Sequence, residues 1–304
     1  MRFVVFFALL LATSLASAAP PSLICCGMDE VFIIPATPGK LGESDKLWSW
    51  TAASSPEIPQ SQHAQFRTTD ECKPYDKWIL ITSSSGGVAL VERDTKRAIY
   101  VASARNAHSA CLLPEKRIAV ASSFGGDELL IFSYSDPAST TPIARTKLVG
   151  AHGTWWDVDG GKLYALGSEE LLLVSLKTSA ATDKTALPTL EIVVEKTWQL
   201  PEGDGHDVSP TAGGKSLLIT SASKIHTLDL KSQTFAPFEL FPEAKKVKSI
   251  DQHRESKRFV LQQADLTSNN WWSNSLQLLD PLEKIELPDE RLYKARWDQP
   301  LAVP

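Results

Sequence analysis

The chain lacks most of the features that would assign it to a known chemistry. It has only four cysteines in 304 residues, and no two of them have the Cys-x-x-Cys spacing of zinc or redox motifs. We find no P-loop, dinucleotide fingerprint, nucleophile elbow or zinc-protease helix motif. The formal net charge is −5, which argues against nucleic acid as a partner. The enzyme classes that these motifs identify therefore have no support in the sequence.

Long apolar runs are also missing, except at the N-terminus. Arg2 precedes an apolar run at residues 3–11, and the small residues Ala16, Ser17 and Ala18 follow it. This arrangement is typical of a secretory signal peptide, and the run is too short to span a bilayer as a helix. We therefore predict a signal peptide at residues 1–18 and a secreted, extracellular protein that is a monomer and is not bound to a membrane.

Helical periodicity is absent from the rest of the chain. Runs of four to eight residues rich in Val, Ile, Leu, Thr and aromatics alternate with Gly, Ser, Asp and Pro turns, which is typical of an all-β fold. No domain linker interrupts this pattern, so residues 19–304 are predicted to form one domain. Long loops are expected at residues 53–66, 135–141 and 178–188.

One sequence unit recurs along the chain, and its clearest copy is residues 106–132. A short polar strand around His108 is followed by a turn, an apolar strand, a Gly-Gly turn and another strand. Similar units begin with a polar strand around Lys73, His152, His206 and Lys248, at intervals of 35 to 54 residues. A period near 40 to 50 residues with several strands per repeat is the signature of β-propeller blades.

The sixth unit is divided between the two ends of the chain. Lys294 lies in a polar strand 46 residues beyond Lys248, but too little chain follows it to complete a blade. The missing strands are found at the N-terminus, within residues 22–52. Such sharing of one blade closes the ring and leaves no open sheet edge. The sequence therefore predicts a six-bladed propeller closed by a blade from both termini.

Aligned basic residues mark the opening strand of every unit. In a propeller these strands line the central axis, so equivalent side chains converge at one place. The six aligned residues are Lys73, His108, His152, His206, Lys248 and Lys294. Three histidines and three lysines at one channel mouth would favour an anionic ligand. The alternative is that these residues only line a wet channel.

The three histidines are candidate catalytic residues and candidate metal ligands. His108, His152 and His206 come from consecutive units, so their nitrogens could hold one divalent ion and leave positions open for water or substrate. Three facing lysines would repel a cation, so the presence of a metal cofactor stays open. Asp207 directly follows His206 and could orient an imidazole, although an aspartate at a strand end more often caps a turn.

Tryptophans are the remaining candidate ligand contacts. Trp155 lies three residues beyond His152, while Trp271 and Trp272 lie in a long segment after Lys248. Indole rings at a site would stack on sugars, whereas in blades they more often pack between neighbours. Lys73, Lys248 and Lys294 would hold acidic groups of such a sugar.

Two functional hypotheses follow. In one, the protein is a polysaccharide lyase or hydrolase acting on acidic glycans, and one of the histidines removes the proton next to a uronate carboxylate. In the other, the same site binds an acidic carbohydrate or other small anion without chemistry. No acid–base pair can be assigned from spacing alone.

The ordered motifs also resemble those of a family. They are DEVFIIP, LWSW, DECKP, SSSGGVALV, AHSACLLP, AHGTWWD, GHDVSP and VKSI. The chain resembles, over essentially its whole mature length, an uncharacterised family of secreted bacterial and fungal proteins expected to form propellers. This resemblance implies the fold and no activity. A looser architectural likeness is to propeller polysaccharide lyases such as the oligogalacturonate lyases, which carry histidines and a metal at the axis.

Disulfides would be allowed in an oxidising compartment. Four cysteines, Cys25, Cys26, Cys72 and Cys111, permit three pairings, and buried free thiols are the alternative. Cys25 and Cys26 should point to opposite faces of one strand. A bridge from these N-terminal strands to the second blade would help to hold the ring closed.

Overall fold

The computed structural model describes residues 21–179 and 189–304, and these residues form a six-bladed β-propeller. Each blade has four antiparallel strands, to which the sheet of the sixth blade adds a short fifth strand. The first strands of neighbouring blades contact one another around the axis. The predicted fold class and blade number are confirmed. The predicted signal peptide at residues 1–18 and most of the predicted loop at residues 178–188 lie outside the described residues.

The strands follow the blades in chain order. The N-terminal segment contains β1 (Ser22–Gly27), β2 (Glu30–Pro35), β3 (Gly39–Lys40) and β4 (Trp48–Thr51). Blade 2 contains β5 (Thr69–Pro74), β6 (Trp78–Ser83), β7 (Gly87–Glu92) and β8 (Ala98–Ser103). Blade 3 contains β9 (Ala107–Leu113), β10 (Arg117–Ser122), β11 (Glu128–Ser133) and β12 (Ala144–Lys147). Blade 4 contains β13 (Gly153–Asp157), β14 (Lys162–Leu166), β15 (Glu170–Thr178) and β16 (Leu190–Gln199). Blade 5 contains β17 (Gly205–Pro210), β18 (Ser216–Ser221), β19 (Ile225–Asp229) and β20 (Thr234–Pro237). Blade 6 contains β21 (Val247–Gln252), β22 (Phe259–Gln263), β23 (Ser275–Leu279) and β24 (Glu283–Glu286), and β25 (Leu292–Trp297) ends the series.

The ring closes at blade 1, as the sequence predicts. Strand β25 pairs antiparallel with β1, which places Arg296 opposite Ile24 and Lys294 opposite Cys26, and the sheet order is β25-β1-β2-β4. A second closure was not predicted. The two-residue strand β3 pairs in parallel with β24 at the outer edge of blade 6. The N-terminal segment therefore pairs with the C-terminal part of the chain twice, with β25 at the axis and with β24 at the rim.

Inner strands are apolar on both faces because every blade is packed between two others. In β2, Val31 and Ile33 pack toward blade 2, whereas Phe32 and Ile34 pack toward blade 6. Each fully buried side chain of this kind contributes about 1.5–3 kcal/mol of apolar burial. This continuous burial explains why the inner strands are unbroken hydrophobic runs.

The four cysteines are buried free thiols. Cys25 packs toward blade 6 and Cys26 toward blade 2, so the two side chains occupy opposite faces of β1, as strand alternation predicts. Cys72 lies in the same apolar cluster as Cys26, and Cys111 lies in a separate cluster between blades 3 and 4.

The segment at residues 53–66 is more regular than the loop that the sequence predicts. It contains most of the 3-10 helix Ala52–Ser54 and the whole of the 3-10 helix Gln60–Phe66. Phe66 is buried against Trp50 of β4 at a ring-centroid distance of 5.5 Å, and this contact holds the segment in the apolar cluster between blades 1 and 2. A third 3-10 helix, Glu43–Asp45, precedes β4. Among the described residues, no helix is long and apolar enough to cross a bilayer.

Candidate functional site at the channel mouth

Most axial strands have a β-bulge at their N-terminal end, where one residue has no partner in the neighbouring strand of its blade. In β9 the pairing passes from Ala107 to Ser109 and leaves out His108, and the same irregularity leaves out Asp70, His206, Lys248 and Tyr293. Such bulges turn the extra side chain in a new direction. In blade 4 the corresponding residue is His152, which directly precedes β13.

These residues form what we call the axial ring. Its six members are Asp70, His108, His152, His206, Lys248 and Tyr293. The ring centroids of His108 and His152 are 4.4 Å apart, and those of His152 and His206 are 5.2 Å apart. Lys248 Nζ lies 2.8 Å from His206 Nε2. His108 Nε2 lies 3.8 Å from Asp70 Oδ1, and its ring is 5.8 Å from that of Tyr293.

The hydrogen bonds of the imidazoles define their tautomers. His108 donates its Nδ1–H to the Asn106 carbonyl at 3.1 Å, and His152 donates its Nδ1–H to the Gly150 carbonyl at 2.6 Å. Both neutral rings therefore keep an unprotonated Nε2 that can accept a hydrogen bond. His206 uses Nε2 to accept from Lys248, and its buried Nδ1 has no partner among the described residues.

Burial keeps the imidazoles neutral. It lowers the pKa of His152 to about 4, and it lowers the pKa values of His108 and His206 well below the usual value. Burial also lowers the pKa of Lys248 to about 8 and raises that of Asp70 to about 7. Near neutral pH the ring thus combines three neutral imidazoles, the ammonium group of Lys248 and the partly ionised carboxyl group of Asp70.

Two of the aligned lysines do not belong to this ring, which corrects the sequence alignment. Lys73 lies three residues beyond Asp70 on β5, about 10 Å deeper along the strand. Lys294 follows Tyr293 and is fully buried below the ring. The alignment by basic character failed because Asp70 and Tyr293, which are not basic, occupy the equivalent positions in blades 2 and 1.

Below the ring, the channel is filled by a buried ionic cluster. The Arg296 guanidinium makes two hydrogen bonds to Glu71, both at 2.9 Å, and two to Asp207, at 2.9 and 2.7 Å. Lys294 Nζ lies 3.3 Å from Asp207 Oδ1, and Lys73 Nζ lies 3.4 Å from Glu71 Oε2. We call these five residues the axial cluster. Asp207 therefore pairs with Arg296 and Lys294 and does not orient an imidazole, contrary to the sequence-based hypothesis.

Aromatic side chains flank the ring on two sides. Trp271 is 38% exposed, and its ring centroid lies 5.5 Å from that of Tyr293. Phe124, which the sequence analysis missed, is 55% exposed and lies 5.6 Å from His152. Trp272 instead lies beside the Arg291 guanidinium, at 5.1 Å. Among the described residues, Trp271 and Phe124 are thus exposed aromatic side chains that contact members of the axial ring.

Trp155 lies at the other end of the channel. Its ring centroid is 5.8 Å from that of Tyr164. Together with Lys73, Trp155 lines a cavity of about 340 Å³. Trp155 is thus separated from the histidines by the axial cluster, and Lys73 is a member of that cluster.

The histidines do not form a compact ligand set. Among residues 21–179 and 189–304, one group of three carboxylate, histidine or cysteine side chains has ligand atoms within 4.8 Å of one another, namely Glu30, Glu43 and Glu290. Lys46 already pairs with all three of these carboxylates, at 2.7, 2.7 and 2.8 Å. A metal at the three histidines stays a prediction that requires their side chains to move closer together.

Acid should destabilise the protein through the ring histidines. His152 has an ordinary pKa near 6.5 when unfolded and about 4 when folded, so the unfolded chain binds more protons as the pH falls through this range. The pKa values of Asp70 and Asp251, raised by burial to about 7 and about 6, act in the opposite direction. Between pH 6.5 and pH 4, we expect the free energy of unfolding to decrease by about 3 kcal/mol less in His152→Gln than in the wild type. Urea unfolding of both proteins at these two pH values tests this, and parallel pH profiles would contradict it.

Comparisons with known proteins support the fold and supply no activity. The model of a family of unknown function (DUF6528) matches residues 40–302. No curated protein gives a significant match. Among solved structures, the Cps50 (Swd1) β-propeller domain from Myceliophteria thermophila is similar with a TM-score of 0.56 and 12% identity, over 89% of this chain and 84% of that chain. The WD40 β-propeller domain of Doa1 has a TM-score of 0.54 and 10% identity, over 79% of this chain and 71% of that chain.

Proposed function

The chain belongs to the family of unknown function DUF6528, and we propose that it is a binding propeller whose axial ring takes the acidic group of a carbohydrate. The observation that carries this proposal is the single ammonium group of Lys248 beside three neutral imidazoles. Lys73 and Lys294 are paired within the axial cluster, so Lys248 is the ring's cation. A carboxylate bound there would gain a charge-assisted hydrogen bond.

Hydroxyl groups would complete the recognition of such a ligand. The Nε2 atoms of His108 and His152 are acceptors, and sugar hydroxyls are donors that match them. Trp271 and Phe124 offer exposed aromatic faces on either side of the ring. Aromatic faces with a few polar groups are typical of sugar-binding sites.

The ring favours binding over catalysis. A general base that removes a carbon-bound proton works best with a pKa near the operating pH. Burial lowers the pKa of His152 to about 4, and those of the other two histidines are also low. Such weakly basic imidazoles accept hydrogen bonds but provide little driving force for proton abstraction. We therefore propose the non-catalytic alternative of the two hypotheses. Secretion and the monomeric state stay predictions.

Replacing Lys248 should abolish most of the affinity for acidic sugars. We expect Lys248→Ala to weaken binding of trigalacturonate by about tenfold to a hundredfold, because a charge-assisted hydrogen bond contributes about 1.5–3 kcal/mol. Isothermal titration calorimetry at pH 7 measures this. Lys77→Ala, which removes an exposed turn lysine, is the matched control and should bind like the wild type. Equal affinities of Lys248→Ala and wild type, or equal binding of neutral trigalactose, would contradict the proposal.

Turnover should be absent under the same conditions. Incubating the wild-type protein with polygalacturonate should produce no absorbance from unsaturated products and no new reducing ends beyond a blank. The pKa argument predicts this result because none of the ring histidines is basic enough to act on a carbon acid. Product formation that His152→Gln eliminates would overturn the non-catalytic assignment and establish a lyase or hydrolase.

A further inference from the structure

A second cavity lies at the end of the channel opposite the axial ring. Its volume is about 340 Å³. The cavity lies where the axial strands end. It is lined by Trp155 of β13, by Asp251 of β21, and by Tyr75 and Thr211, which directly follow β5 and β17. We call it the tail cavity because Gln299, Leu301, Ala302 and Pro304 form part of its wall. Its size is within the range of small-molecule sites.

The wall formed by these residues is held in place by hydrogen bonds from Leu301 and from the Gln299 side chain to the backbone of neighbouring segments. The Leu301 N–H donates to the Pro74 carbonyl at 2.8 Å. Gln299 Nε2 donates to the Gln252 carbonyl at 2.8 Å, and Gln299 Oε1 accepts from the Arg254 N–H at 2.8 Å. The cavity is therefore preformed, so little ordering is required of the protein when a ligand enters.

The charges inside the cavity are unevenly compensated. Asp157, Asp159 and Asp251 line it, and none of them has a salt-bridge partner in the part of the chain that the structure describes. Lys73 is paired with Glu71 and also donates to the carbonyl oxygens of Ala110 and Thr154. The Arg254 guanidinium also lines the cavity and keeps its positive charge, because it donates to the neutral carbonyl oxygens of Gln299 and Pro300. Three carboxylates thus face one cation that has no carboxylate partner among the described residues.

Asp251 is the most buried of the three carboxylates. It is 9% exposed and accepts the Trp297 N–H through Oδ2 at 2.9 Å. Burial raises its pKa to about 6, although the charge of Arg296 opposes this rise. A cation beside Asp251 would stabilise its ionised form. The half-buried Trp155 indole offers a second favourable contact for a cation.

We propose that the tail cavity binds a small organic cation of the quaternary or alkylammonium class, with Trp155 as the aromatic wall and Asp251 as the counter-charge. Asp157 and Asp159 at the edge of the cavity attract the cation toward it. The axial cluster separates this site from the axial ring, so the two ends of the channel have opposite ligand preferences.

Choline chloride and its neutral isostere 3,3-dimethyl-1-butanol provide the test. We expect choline to change the tryptophan fluorescence of the full chain saturably, and the isostere to bind at least tenfold more weakly at equal ionic strength. Trp155→Leu should weaken choline binding at least tenfold, and Asp251→Asn should weaken it while thermal unfolding confirms that both variants fold. Trp271→Leu, at the opposite end, should bind choline as the wild type does. No saturable binding by the wild type, equal binding of the isostere, or wild-type affinity in Trp155→Leu would each overturn the proposal.

The cysteines carry a second, independent inference. Cys26 on β1 and Cys72 on β5 are both fully buried in one apolar cluster between blades 1 and 2, where the Cys72 thiol donates to the Ile24 carbonyl of β1 at 3.7 Å. Cys25 faces the other side of its strand, and Cys111 lies between blades 3 and 4. Cys26 and Cys72 are therefore the two cysteines that share a cluster, whereas Cys25 and Cys111 each lie in a different one.

We infer that Cys26 and Cys72 form a disulfide when the chain folds in an oxidising compartment. Glutathione disulfide accepts the two electrons, so two thiols become one protein disulfide and two molecules of glutathione are released. Because both thiols are 0% exposed after folding, the exchange must precede burial. The bond would tie the closing blade to blade 2.

Alkylation under denaturing conditions counts the free thiols. We expect protein made in an oxidising compartment to take up two iodoacetamide groups, and protein made in a reducing one to take up four. In the oxidised form, Cys26→Ser should free Cys72, whereas Cys111→Ser should leave the bond intact. The oxidised protein should melt about 8 °C higher, as expected for closing a loop of this length. Four alkylated thiols in both preparations, or a bond that includes Cys111, would overturn the inference.

Discussion

A chain that ends at residue 289 is expected not to fold. This deletion removes β25, so β1 loses its axial neighbour and the ring loses its closure. It also removes Arg296 and Lys294, which leaves Glu71 and Asp207 buried without their main counter-charges. The loss of β25 exposes an open sheet edge. The loss of the counter-charges leaves two buried carboxylates uncompensated, which destabilises the remaining core. We expect insoluble protein, or soluble protein without a cooperative unfolding transition, when urea unfolding is followed by circular dichroism.

A shorter deletion serves as the control. Removing residues 302–304 keeps β25 and the bridge between Leu301 and Tyr75. This variant should therefore fold and unfold cooperatively, as the full chain does. Adding a synthetic peptide of residues 290–304 to the longer deletion during refolding should restore part of the folded population. Cooperative unfolding of the chain ending at 289 without the peptide would show that blade 1 does not need its C-terminal strand.

The blade count and the ring closure could be predicted because each depends on local patterns repeated along the chain. Alternation of strand-like runs with turn residues identifies blades without reference to distant contacts. Strand β3 could not be predicted, since two residues give no hydrophobic pattern. Its pairing with β24 depends on where the chain passes the rim of blade 6.

The positions in the channel were harder to predict because a bulge shifts the side chains without changing the apolar pattern. Lys73 precedes Pro74 at the end of β5, and it was aligned with His108 at the beginning of β9. Only the pairing register shows that Asp70 is the equivalent residue. The aligned histidines were placed correctly because each lies at or just before the start of its strand.

The axial cluster was missed for a different reason. Glu71 and Arg296 are 225 residues apart, and a charged residue in a strand usually faces solvent. The available signal was the spacing of Lys294 and Arg296, two residues apart in a strand that is otherwise apolar or aromatic. Two cations on one face of a buried strand require anions nearby, and the axial strands of other blades were the place to seek them.

Replacing Arg296 by Met should cause the largest loss of stability expected from a single substitution. The guanidinium is the shared partner of Glu71 and Asp207, and all three side chains are buried. Breaking such a group by removing one member costs about 3–5 kcal/mol because it leaves buried charges uncompensated. Urea unfolding at pH 7 measures this loss. Arg145→Met, which disrupts an exposed pair with Glu128, is the matched control and should change the unfolding free energy by at most about 1 kcal/mol.

The pH dependence of that loss distinguishes electrostatics from packing. Burial alone would raise the pKa of Glu71, but the charges of Arg296, Lys73 and Lys294 hold it well below its usual value, and Asp207 is likewise lowered. In the wild type these carboxylates stabilise the fold above pH about 4.5, and this contribution is lost as the pH falls further. Without Arg296 they should bind protons at higher pH, so the difference in unfolding free energy between variant and wild type should shrink from pH 7 to pH 4. A loss that is the same at both pH values would mean that Arg296 stabilises the channel by filling space rather than by its charge.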